Sequence, residues 1–500
     1  MDPLYPSLVY FDRMADVEVP VLIVGGSLVG MSAALLLGHH GIRSLTVEHH
    51  RGTAIHPRAA QVTQRSMEIF RSVGVEQIVR QRSEDQFVQD GAIMAVETLA
   101  GKEIAYYIAN LNDGIRDVSP CERVFISQSL LEPVLKRRAE ELGADLRFGT
   151  DMTGFDLDSE GITAVIRNRD TGQTTTVRAS YMIAADGSHS RVRQALGIRM
   201  LGHGAFSNSV TIYFRADLAP LLRGRNLSVI YVLNPVLRGF FRVEKPFNSG
   251  FLAVNAVGDP AHPITDVSTG LTDQRCLELV RAALGTDDVP ITIQNVMRWE
   301  AEANVAERFE DGRIFLAGDA AHAMPPNGGF GGNTGIQDAH NLAWKLAYVL
   351  NGIASPELLK TYETERRPVA LFTTEQAYAR YVTRTAPYLG TEGMQPVEND
   401  LNVELGYCYA PDGPVHMNPR ESKARPGTRA PHVVLANGQS TIDLFGRGYV
   451  LLAGPAWRET PPSGVEVHTI KEEQFLEAYG ITPSGAVLIR PDGFVEWHRS

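Results

Sequence analysis

Residues 19–48 read VPVLIVGGSLVGMSAALLLGHHGIRSLTVE, and the fold prediction starts from this stretch. The β-branched run over 19–24 ends at two glycines, which is typical of a buried parallel strand. Residues 31–40 have the composition of a helix that Gly41 ends, and residues 43–48 form a second strand. Strand, helix and strand in this order form a βαβ unit, so we predict an α/β protein built on a parallel sheet.

The composition of the chain is ordinary for a globular protein. It has 500 residues, of which 44% are hydrophobic and 21% charged, and this length suits two or three domains. The net charge of −11 leaves no basic face to neutralise phosphates, so no nucleic-acid partner is expected. Cys121, Cys276 and Cys408 are far apart and form no C-x-x-C pair. We therefore expect neither a disulfide framework nor a metal site.

The N-terminal region raises the question of a membrane segment. Residues 19–38 carry no charge and are long enough to cross a bilayer. However, the stretch contains Pro20 and several glycines and serines, and it divides into strand, turn and helix. No positively charged segment precedes an apolar core, so no signal peptide is expected. These features predict a cytoplasmic protein with no membrane partner.

The strand and helix patterns divide the chain into three domains. Residues 1–200 and 301–384 are predicted to form a discontinuous α/β domain, which includes a helix over 127–142 with Pro133 near its first turn and a long helix over 335–350. Alternating strands over 201–300, with part of 85–120, predict a mostly antiparallel sheet inserted between its halves. Residues 385–428 are rich in Pro, Gly, Asn and Glu and are predicted to be a linker. Residues 429–500 indicate a small α/β domain.

The turn GGSLVG at residues 25–30 has the features of a phosphate-binding site. Backbone N–H groups at a helix N-terminus attract a pyrophosphate. Gly25 permits the tight turn, and Gly30 lets the helix pack closely on the strand. Ser27 stands where the usual G-x-G-x-x-G pattern has its middle glycine, which weakens the match. The alternative is a glycine turn without a ligand, which any doubly wound sheet can contain.

Glu48 supports the ligand-binding interpretation. It closes the second strand 18 residues after Gly30, where a carboxylate can accept hydrogen bonds from a ribose 2′-hydroxyl. The same carboxylate repels a 2′-phosphate, so the bound dinucleotide is expected to be FAD or NAD rather than NADP. The alternative is a solvated glutamate at a strand end.

Two further motifs lie later in the chain. The buried strand RIFL at 313–316 leads into GDAAH at 318–322 and PPNGGFGGN at 325–333, before the predicted helix at 335. This arrangement presents the Asp319 carboxylate and a second helix N-terminus, and two anion-binding turns imply one large ligand. The other motif is ADGS at 185–188, followed by Arg191 and Arg193. It either belongs to the same site or is a turn in which Asp186 caps a helix.

In this order and spacing, the three motifs resemble those of the class A flavoprotein monooxygenases, the family of p-hydroxybenzoate hydroxylase. Residues 312–346, GRIFLAGDAAHAMPPNGGFGGNTGIQDAHNLAWKL, are especially similar to the bacterial aromatic-polyketide hydroxylases. PGTRAPHVVL at 426–435 and GAVLIRPDGFVEW at 485–497 resemble the thioredoxin-like domain of those enzymes, without its C-x-x-C. The resemblance covers essentially the whole chain. It implies a Rossmann-like FAD-binding domain, an inserted substrate-binding β-sheet and a thioredoxin-like C-terminal domain over 429–500 with a structural role.

The resemblance also implies which residues bind FAD. The first turn would bind the ADP half, Asp319 the ribityl side, and the backbone of Gly332 and Asn333 the pyrimidine end of the flavin. Asp186 belongs to a motif implicated in both FAD and NAD(P)H binding. Ser27 and the sequence at 330–332 depart from the family pattern. The full set of expected cofactor-binding residues is Gly25, Ser27, Leu28, Val29, Gly30, Glu48, His49, Arg58, Gln128, Asp186, Asp319, Pro326, Gly331, Gly332 and Asn333.

The implied activity is hydroxylation of an aromatic ring. NADPH or NADH, bound transiently, reduces FAD, and the reduced flavin reacts with O₂ to a C4a-hydroperoxide that oxidises a polycyclic phenol of polyketide type. Epoxidation and Baeyer–Villiger oxidation on the same fold are alternatives, and the oligomeric state is left open between monomer and homodimer. Tyr213 and Arg215 share one face of a predicted strand. They are candidates for a proton relay and for stabilising a phenolate, or else an ordinary pair facing solvent.

Three other functions compete with this hypothesis. A flavin-dependent halogenase would be expected to carry W-x-W-x-I-P, but Trp299, Trp344, Trp457 and Trp497 are isolated. An NAD-dependent dehydrogenase would need only the first turn and leaves residues 318–333 unexplained. A non-enzymatic accessory protein that sequesters an aromatic ligand is the third alternative, if Ser27 weakens FAD binding.

Overall fold

The computed structural model describes residues 15–55, 61–410 and 413–500. The strands are β1 (Val17–Val24), β2 (Ser44–Glu48), β3 (Ala92–Val96), β4 (Glu103–Ile108), β5 (Asp145–Phe148), β6 (Thr150–Leu157), β7 (Ile162–Asn168), β8 (Thr174–Ala184), β9 (Met200–Arg215), β10 (Leu227–Leu233), β11 (Leu237–Glu244), β12 (Ser249–Val257), β13 (Thr292–Ala306), β14 (Glu310–Asp311), β15 (Ile314–Leu316), β16 (His322–Ala323), β17 (Val450–Ala453), β18 (Glu466–Thr469), β19 (Ala486–Ile489) and β20 (Val495–Arg499). The helices are α1 (Leu28–His39), α2 (Gln64–Ser72), α3 (Glu76–Gln86), α4 (Gln128–Glu141), α5 (Arg191–Ala195), α6 (Ala219–Leu222), α7 (Asp273–Leu284), α8 (Phe330–Leu350), α9 (Glu357–Arg384), α10 (Asp400–Glu404) and α11 (Glu473–Tyr479).

A mostly parallel sheet carries the predicted βαβ unit. Its strands run in the order β14-β15-β8-β1-β2-β5, and the β6–β7 hairpin joins it through β7. β1 pairs in parallel with both β2 and β8, and β2 pairs in parallel with β5. Val21, Leu22 and Ile23 are fully buried, because residues of α1, α4, α8 and the β6–β7 hairpin pack into the same core. The α/β prediction is confirmed.

Three details of this domain concern the bounds of its elements. Strand β8 is continuous over Thr174–Ala184. Pro133 lies in the second turn of α4, so the helix continues past a residue that cannot donate to its hydrogen-bond ladder. Helix α8 begins at Phe330, five residues before the predicted start. Gly335 is an interior packing position, since a Cβ there would lie 2.4 Å from Val29 Cγ2.

A second, mostly antiparallel sheet is inserted into this domain. Its order is β16-β13-β9-β12-β11-β10-β3-β4, and β10–β3 is its parallel pair. Val210, Ile212 and Phe214 on one face form a core with α7. The opposite face carries an aromatic group of Tyr213, Tyr231, Phe240 and Phe251, whose neighbouring rings lie 5.9–6.2 Å apart. The inserted sheet therefore has one structural face and one aromatic face.

The C-terminal residues form a third sheet in the order β18-β17-β19-β20, with α11 packed into its core. Strand β20 was not predicted. Residues 385–428, predicted as a linker, contain α10 and the buried side chains of Val403, Leu405 and Tyr407. The boundaries between the domains stay a prediction.

Candidate functional site

The turn between β1 and α1 brings backbone atoms very close together. Gly25 has φ of +100°, and a Cβ on it would lie 2.2 Å from the Ala185 carbonyl oxygen. A Cβ on Gly30 would lie 1.8 Å from the Gly25 carbonyl oxygen. Only glycine fits both positions. The turn therefore opens the N-terminus of α1, whose first N–H groups have no partner within the helix.

Ser27 lies exposed at the N-cap of α1 and hydrogen-bonds to two buried polar side chains. Its hydroxyl donates to Glu132 Oε1 at 2.6 Å and accepts from Gln128 Nε2 at 2.7 Å. Gln128 Nε2 also donates to Glu132 Oε1 at 2.6 Å, and the Ala54 N–H donates to Glu132 Oε2 at 2.6 Å. Sequence reasoning missed Glu132. Its position one helical turn after Gln128 on α4 was the available signal.

Glu48 and His49 lie at the carboxyl end of β2. The two Glu48 carboxylate oxygens accept the backbone N–H groups of Gly26 at 2.7 Å and His50 at 2.8 Å. This holds the Glu48 side chain beside the first turn, as the ribose-binding hypothesis requires. The His49 ring pairs with Asp151 at 2.6 Å and is largely exposed.

The second glycine-rich region places a further turn against α1. Gly318 has φ of +61°, and a Cβ there would lie 2.7 Å from Val29 Cγ2. Asp319 follows on the exposed side of this turn. Gly331 and Gly332 lie in the first turn of α8. The second helix N-terminus therefore starts inside the predicted glycine loop rather than after it.

The Asn333 side chain has a structural role next to this helix start. It is almost fully buried, accepts the Thr63 N–H at 2.9 Å, and donates to the Gln61 carbonyl at 2.9 Å and the Gly329 carbonyl at 2.7 Å. These bonds fasten residues 61–63 to α8. They leave the Asn333 backbone, for which the flavin contact was predicted, in the first turn of the helix.

Asp186 caps a helix, which was one of the two alternatives that the sequence left open. Its carboxylate accepts the Ser190 hydroxyl at 2.5 Å and the Val192 N–H at 3.2 Å, which caps the start of α5. Burial raises the pKa of Asp186, and these hydrogen bonds oppose the rise. The same residue also lies on the wall of the cavity described next.

A cavity of about 1010 Å³ follows the carboxyl ends of β2, β1, β8 and β15. Three strand spacings correspond to about 14 Å, so the cavity suits an elongated ligand. Its volume is at the upper end of the range for cofactor sites, about 300–1,000 Å³. Its wall includes ten of the predicted residues: Gly25, Ser27, Leu28, Val29, Glu48, His49, Gln128, Asp186, Asp319 and Gly332. Two helix N-termini and two close-packed glycine turns along one groove fit the phosphates and the length of FAD.

The other predicted cofactor residues do not line the cavity. Gly30, Gly331 and Asn333 each adjoin a lining residue in the chain, and Pro326 is exposed. Arg58 lies outside the described residues, as does the rest of 56–60.

Tyr213 and Arg215 share a face of β9, as predicted, but their environments differ. Tyr213 is 8% exposed, with its hydroxyl 3.5 Å from Met297 Sδ and its ring against Phe251. Arg215 is exposed at the end of the strand. The structure brings Tyr213, but not Arg215, into the aromatic face.

Asn327 links this aromatic face to the glycine-rich region. The buried Asn327 Nδ2 donates to Tyr231 Oη and to Thr385 Oγ1, each at 3.3 Å. The loop before α8 therefore touches both the inserted sheet and the end of α9. Sequence reasoning missed Asn327, since nothing in the local pattern indicates such distant partners.

Two general features bear on the predicted partners. Within the three described stretches, no helix is both long and apolar enough to span a bilayer. Among the same residues, no cluster of His, Cys, Asp and Glu could hold a metal ion.

Comparison with known proteins places this geometry in a family. The FAD binding domain family matches residues 18–377, and the family of the aromatic-ring hydroxylase C-terminal domain matches residues 423–500. The chain belongs to the FAD-dependent aromatic-ring hydroxylases.

This hydroxylase matches monooxygenases and hydroxylases over nearly the whole length of both chains. It is 50% identical to a 4-methyl-5-nitrocatechol 5-monooxygenase of a Burkholderia species, over 96% of this chain and 94% of the relative. It is 38% identical to a tetracenomycin A2 monooxygenase-dioxygenase of Streptomyces glaucescens, over 97% and 94% of the two chains. A solved complex of aklavinone-11 hydroxylase with FAD and aklavinone has a TM-score of 0.88 at 34% identity, covering 97% and 96%. The predictions of the fold, of FAD and of an aromatic hydroxylase are confirmed, and the halogenase and dehydrogenase alternatives have no support.

Proposed function

We propose that this hydroxylase holds FAD along the cavity from Glu48 to Gly332 and uses NADPH or NADH and O₂ to oxygenate a phenolic ring. The observation that carries the proposal is the cavity itself, which crosses four adjacent strand ends and meets the N-termini of α1 and α8. The N–H groups of α1 would bind the pyrophosphate, and Glu48 the adenosine ribose. Asp319 would bind the ribityl chain. FAD supplies the redox chemistry, and the protein orients it.

We place the substrate between the aromatic face of the inserted sheet and the loop at residues 325–327. Tyr213, Tyr231, Phe240 and Phe251 offer flat apolar surfaces that suit a planar ring and exclude water. The Asn327–Tyr231 hydrogen bond keeps the loop and the sheet together at this point. Since the same loop precedes the helix that would meet the flavin, a ring held here would lie close to the cofactor.

For the substrate we propose a substituted catechol that carries a nitro group. The relative with 50% identity is a 4-methyl-5-nitrocatechol monooxygenase, whereas the tetracenomycin and aklavinone enzymes are 34–38% identical. Oxygenation at a ring carbon that bears the nitro group, para to a hydroxyl, would release nitrite and leave a quinone. One O₂ and one NAD(P)H are consumed, and the second oxygen atom becomes water. A polycyclic phenol of polyketide type is the second candidate, because several relatives act on such compounds.

The experiment starts with a visible spectrum of the purified protein. Oxidation of NADPH and NADH is then followed with 4-methyl-5-nitrocatechol, 4-methylcatechol and aklavinone, with assays for nitrite and for product mass. We expect a flavin spectrum and nitrite release in proportion to the NAD(P)H oxidised. Faster turnover with aklavinone, with one oxygen atom gained, would favour the polycyclic candidate. Protein that binds no flavin after FAD is added would contradict the proposal and favour the accessory-protein alternative.

Tyr213 is our proposed proton-relay residue, and Arg215 provides the matched comparison. We expect Tyr213→Phe to lower kcat about 100-fold or more and to change the pH dependence of kcat, because a relay hydroxyl is lost. Arg215→Gln should change kcat less than twofold, since its side chain is exposed. An unchanged pH profile in Tyr213→Phe would show that Tyr213 is a packing residue.

The cytoplasmic location and the choice between monomer and homodimer remain predictions. Gel filtration with light scattering would decide the oligomeric state.

A further inference from the structure

Asp338 is a buried carboxylate on α8. It contacts the Gly318–Asp319 turn but does not line the cavity. It is fully buried, and its Oδ2 accepts the Gly318 N–H at 3.1 Å and a hydrogen bond from His322 Nε2 at 2.7 Å. His322 Nδ1 has no hydrogen-bond partner among the described residues. Asp338 therefore orients both the residue before Asp319 and the histidine that follows the turn.

Arg366 on α9 completes this arrangement. Its Nε donates to Asp338 Oδ1 at 2.8 Å, and its Nη2 donates to the Thr334 carbonyl in α8 at 3.1 Å. Burial alone would raise the pKa of Asp338, but the Arg366 guanidinium and His322 more than offset this and lower it. Asp338 is thus held as a carboxylate, which accepts stronger hydrogen bonds than a neutral group.

The same arginine reaches the C-terminal part of the chain. Arg366 Nη1 donates to Tyr409 Oη at 3.2 Å, and the Tyr409 ring stacks on Phe494 with centroids 4.0 Å apart. The neighbouring Glu365 pairs with Arg490 at 2.7 Å. Phe494 and Arg490 belong to the matched aromatic-ring hydroxylase C-terminal region. A continuous set of buried contacts therefore leads from that region through α9 to the Gly318 turn.

We propose that Asp338 and Arg366 are positioning residues through which the C-terminal region holds the Gly318–Asp319 turn in its FAD-binding geometry. The inference rests on the FAD site proposed above. It gives the C-terminal region a role in cofactor retention that its own sheet, which lines no part of the cavity, does not suggest.

The test measures FAD affinity of the apo-protein, the visible flavin spectrum and the thermal midpoint of the apo-protein. We expect Tyr409→Phe, which keeps the ring but loses the acceptor of Arg366, to raise the Kd for FAD about three- to tenfold. Asp338→Asn should raise it more than tenfold. The Kd for FAD of the double variant Tyr409→Phe/Asp338→Asn should be no higher than that of Asp338→Asn alone, because both substitutions act through Arg366. Arg499→Gln, which breaks an exposed ion pair with Glu459 in the C-terminal sheet, is the control and should leave the Kd unchanged.

The outcomes separate this inference from the proposed function. A wild-type protein that binds no FAD contradicts the FAD site as a whole. Wild-type binding together with a Kd and a flavin spectrum unchanged in Tyr409→Phe overturns only the positioning role, even if the apo midpoint falls. If Asp338→Asn does not fold, Tyr409→Phe and its control decide the question alone.

Discussion

At the scale of single residues, Ser27 departs from the phosphate-binding motif and has hydrogen-bond partners on α4. The position usually holds glycine so that the backbone can approach a phosphate. Here the Ser27 hydroxyl is committed to Glu132 and Gln128. The Glu132 carboxylate is 1% exposed and needs hydrogen-bond donors, since an unsatisfied buried charge is costly. Ser27 therefore acts as part of the cavity wall.

We expect Ser27→Ala to lower the free energy of unfolding by about 1–3 kcal/mol, because Glu132 loses one of its donors. Ser27→Gly should do the same and should not improve FAD binding. Denaturant unfolding and FAD titration would measure both. Ser32→Ala is the control, since that hydroxyl donates to the Leu28 carbonyl within the same helix. Tighter FAD binding by a fully stable Ser27→Gly would contradict this explanation.

At the scale of elements, the short β14–β15 hairpin carries an unfavourable carboxylate. Burial, and then the neighbouring Glu363, raise the pKa of Glu310 to about 7. The unfolded value is near 4.5. Between these values the folded protein binds more protons than the unfolded chain, so the contribution of Glu310 to stability falls as pH rises from about 4.5 to about 7. Above about pH 7 the full unfavourable effect is present.

We therefore expect Glu310→Gln to raise the thermal midpoint at pH 8 and to leave it nearly unchanged at pH 4.5. Thermal unfolding across this pH range is the measurement. Glu307→Gln is the matched comparison, because the hydrogen bond from Arg199 lowers the pKa of Glu307. Loss of the Glu307 charge should therefore not raise the thermal midpoint. If Glu310→Gln raised the thermal midpoint equally at pH 8 and pH 4.5, ionisation of Glu310 would be ruled out as the cause.

At the scale of the whole molecule, buried ion pairs join distant parts of the chain. Glu68 on α2 accepts hydrogen bonds from Arg429 Nε at 2.9 Å, Arg65 Nη1 at 3.0 Å and the Ser119 hydroxyl at 2.6 Å. Glu68 is fully buried, and Arg429 is 3% exposed at its side chain. Removing Arg429 takes two hydrogen bonds away from a buried charge, which is destabilising although Arg65 still pairs with Glu68.

Arg429→Gln should lower the free energy of unfolding by about 3 kcal/mol, the lower end for a broken buried pair, because Arg65 still compensates the Glu68 charge. Arg71 also joins α2 to the C-terminal region, through Asp443, but its side chain is 38% exposed. Arg71→Gln should therefore lower the free energy of unfolding by no more than about 1 kcal/mol. Chemical denaturation of the two variants compares them directly. Equal losses would show that burial does not determine the strength of these contacts.

The sequence alone determined the βαβ unit and the glycine turns, because these depend on local periodicity and on residues that meet a short-range backbone requirement. Gly25 and Gly30 are examples, since their roles follow from a turn of six residues. The sequence also carried the motifs whose resemblance implied the family, and it identified ten of the cavity residues through motifs. The roles of Glu132, Asn327, Asp338 and Arg366 were decided only by the tertiary structure. Their partners are up to 105 residues away in the chain, and buried polar groups are satisfied wherever packing brings a donor or acceptor, which no local pattern specifies.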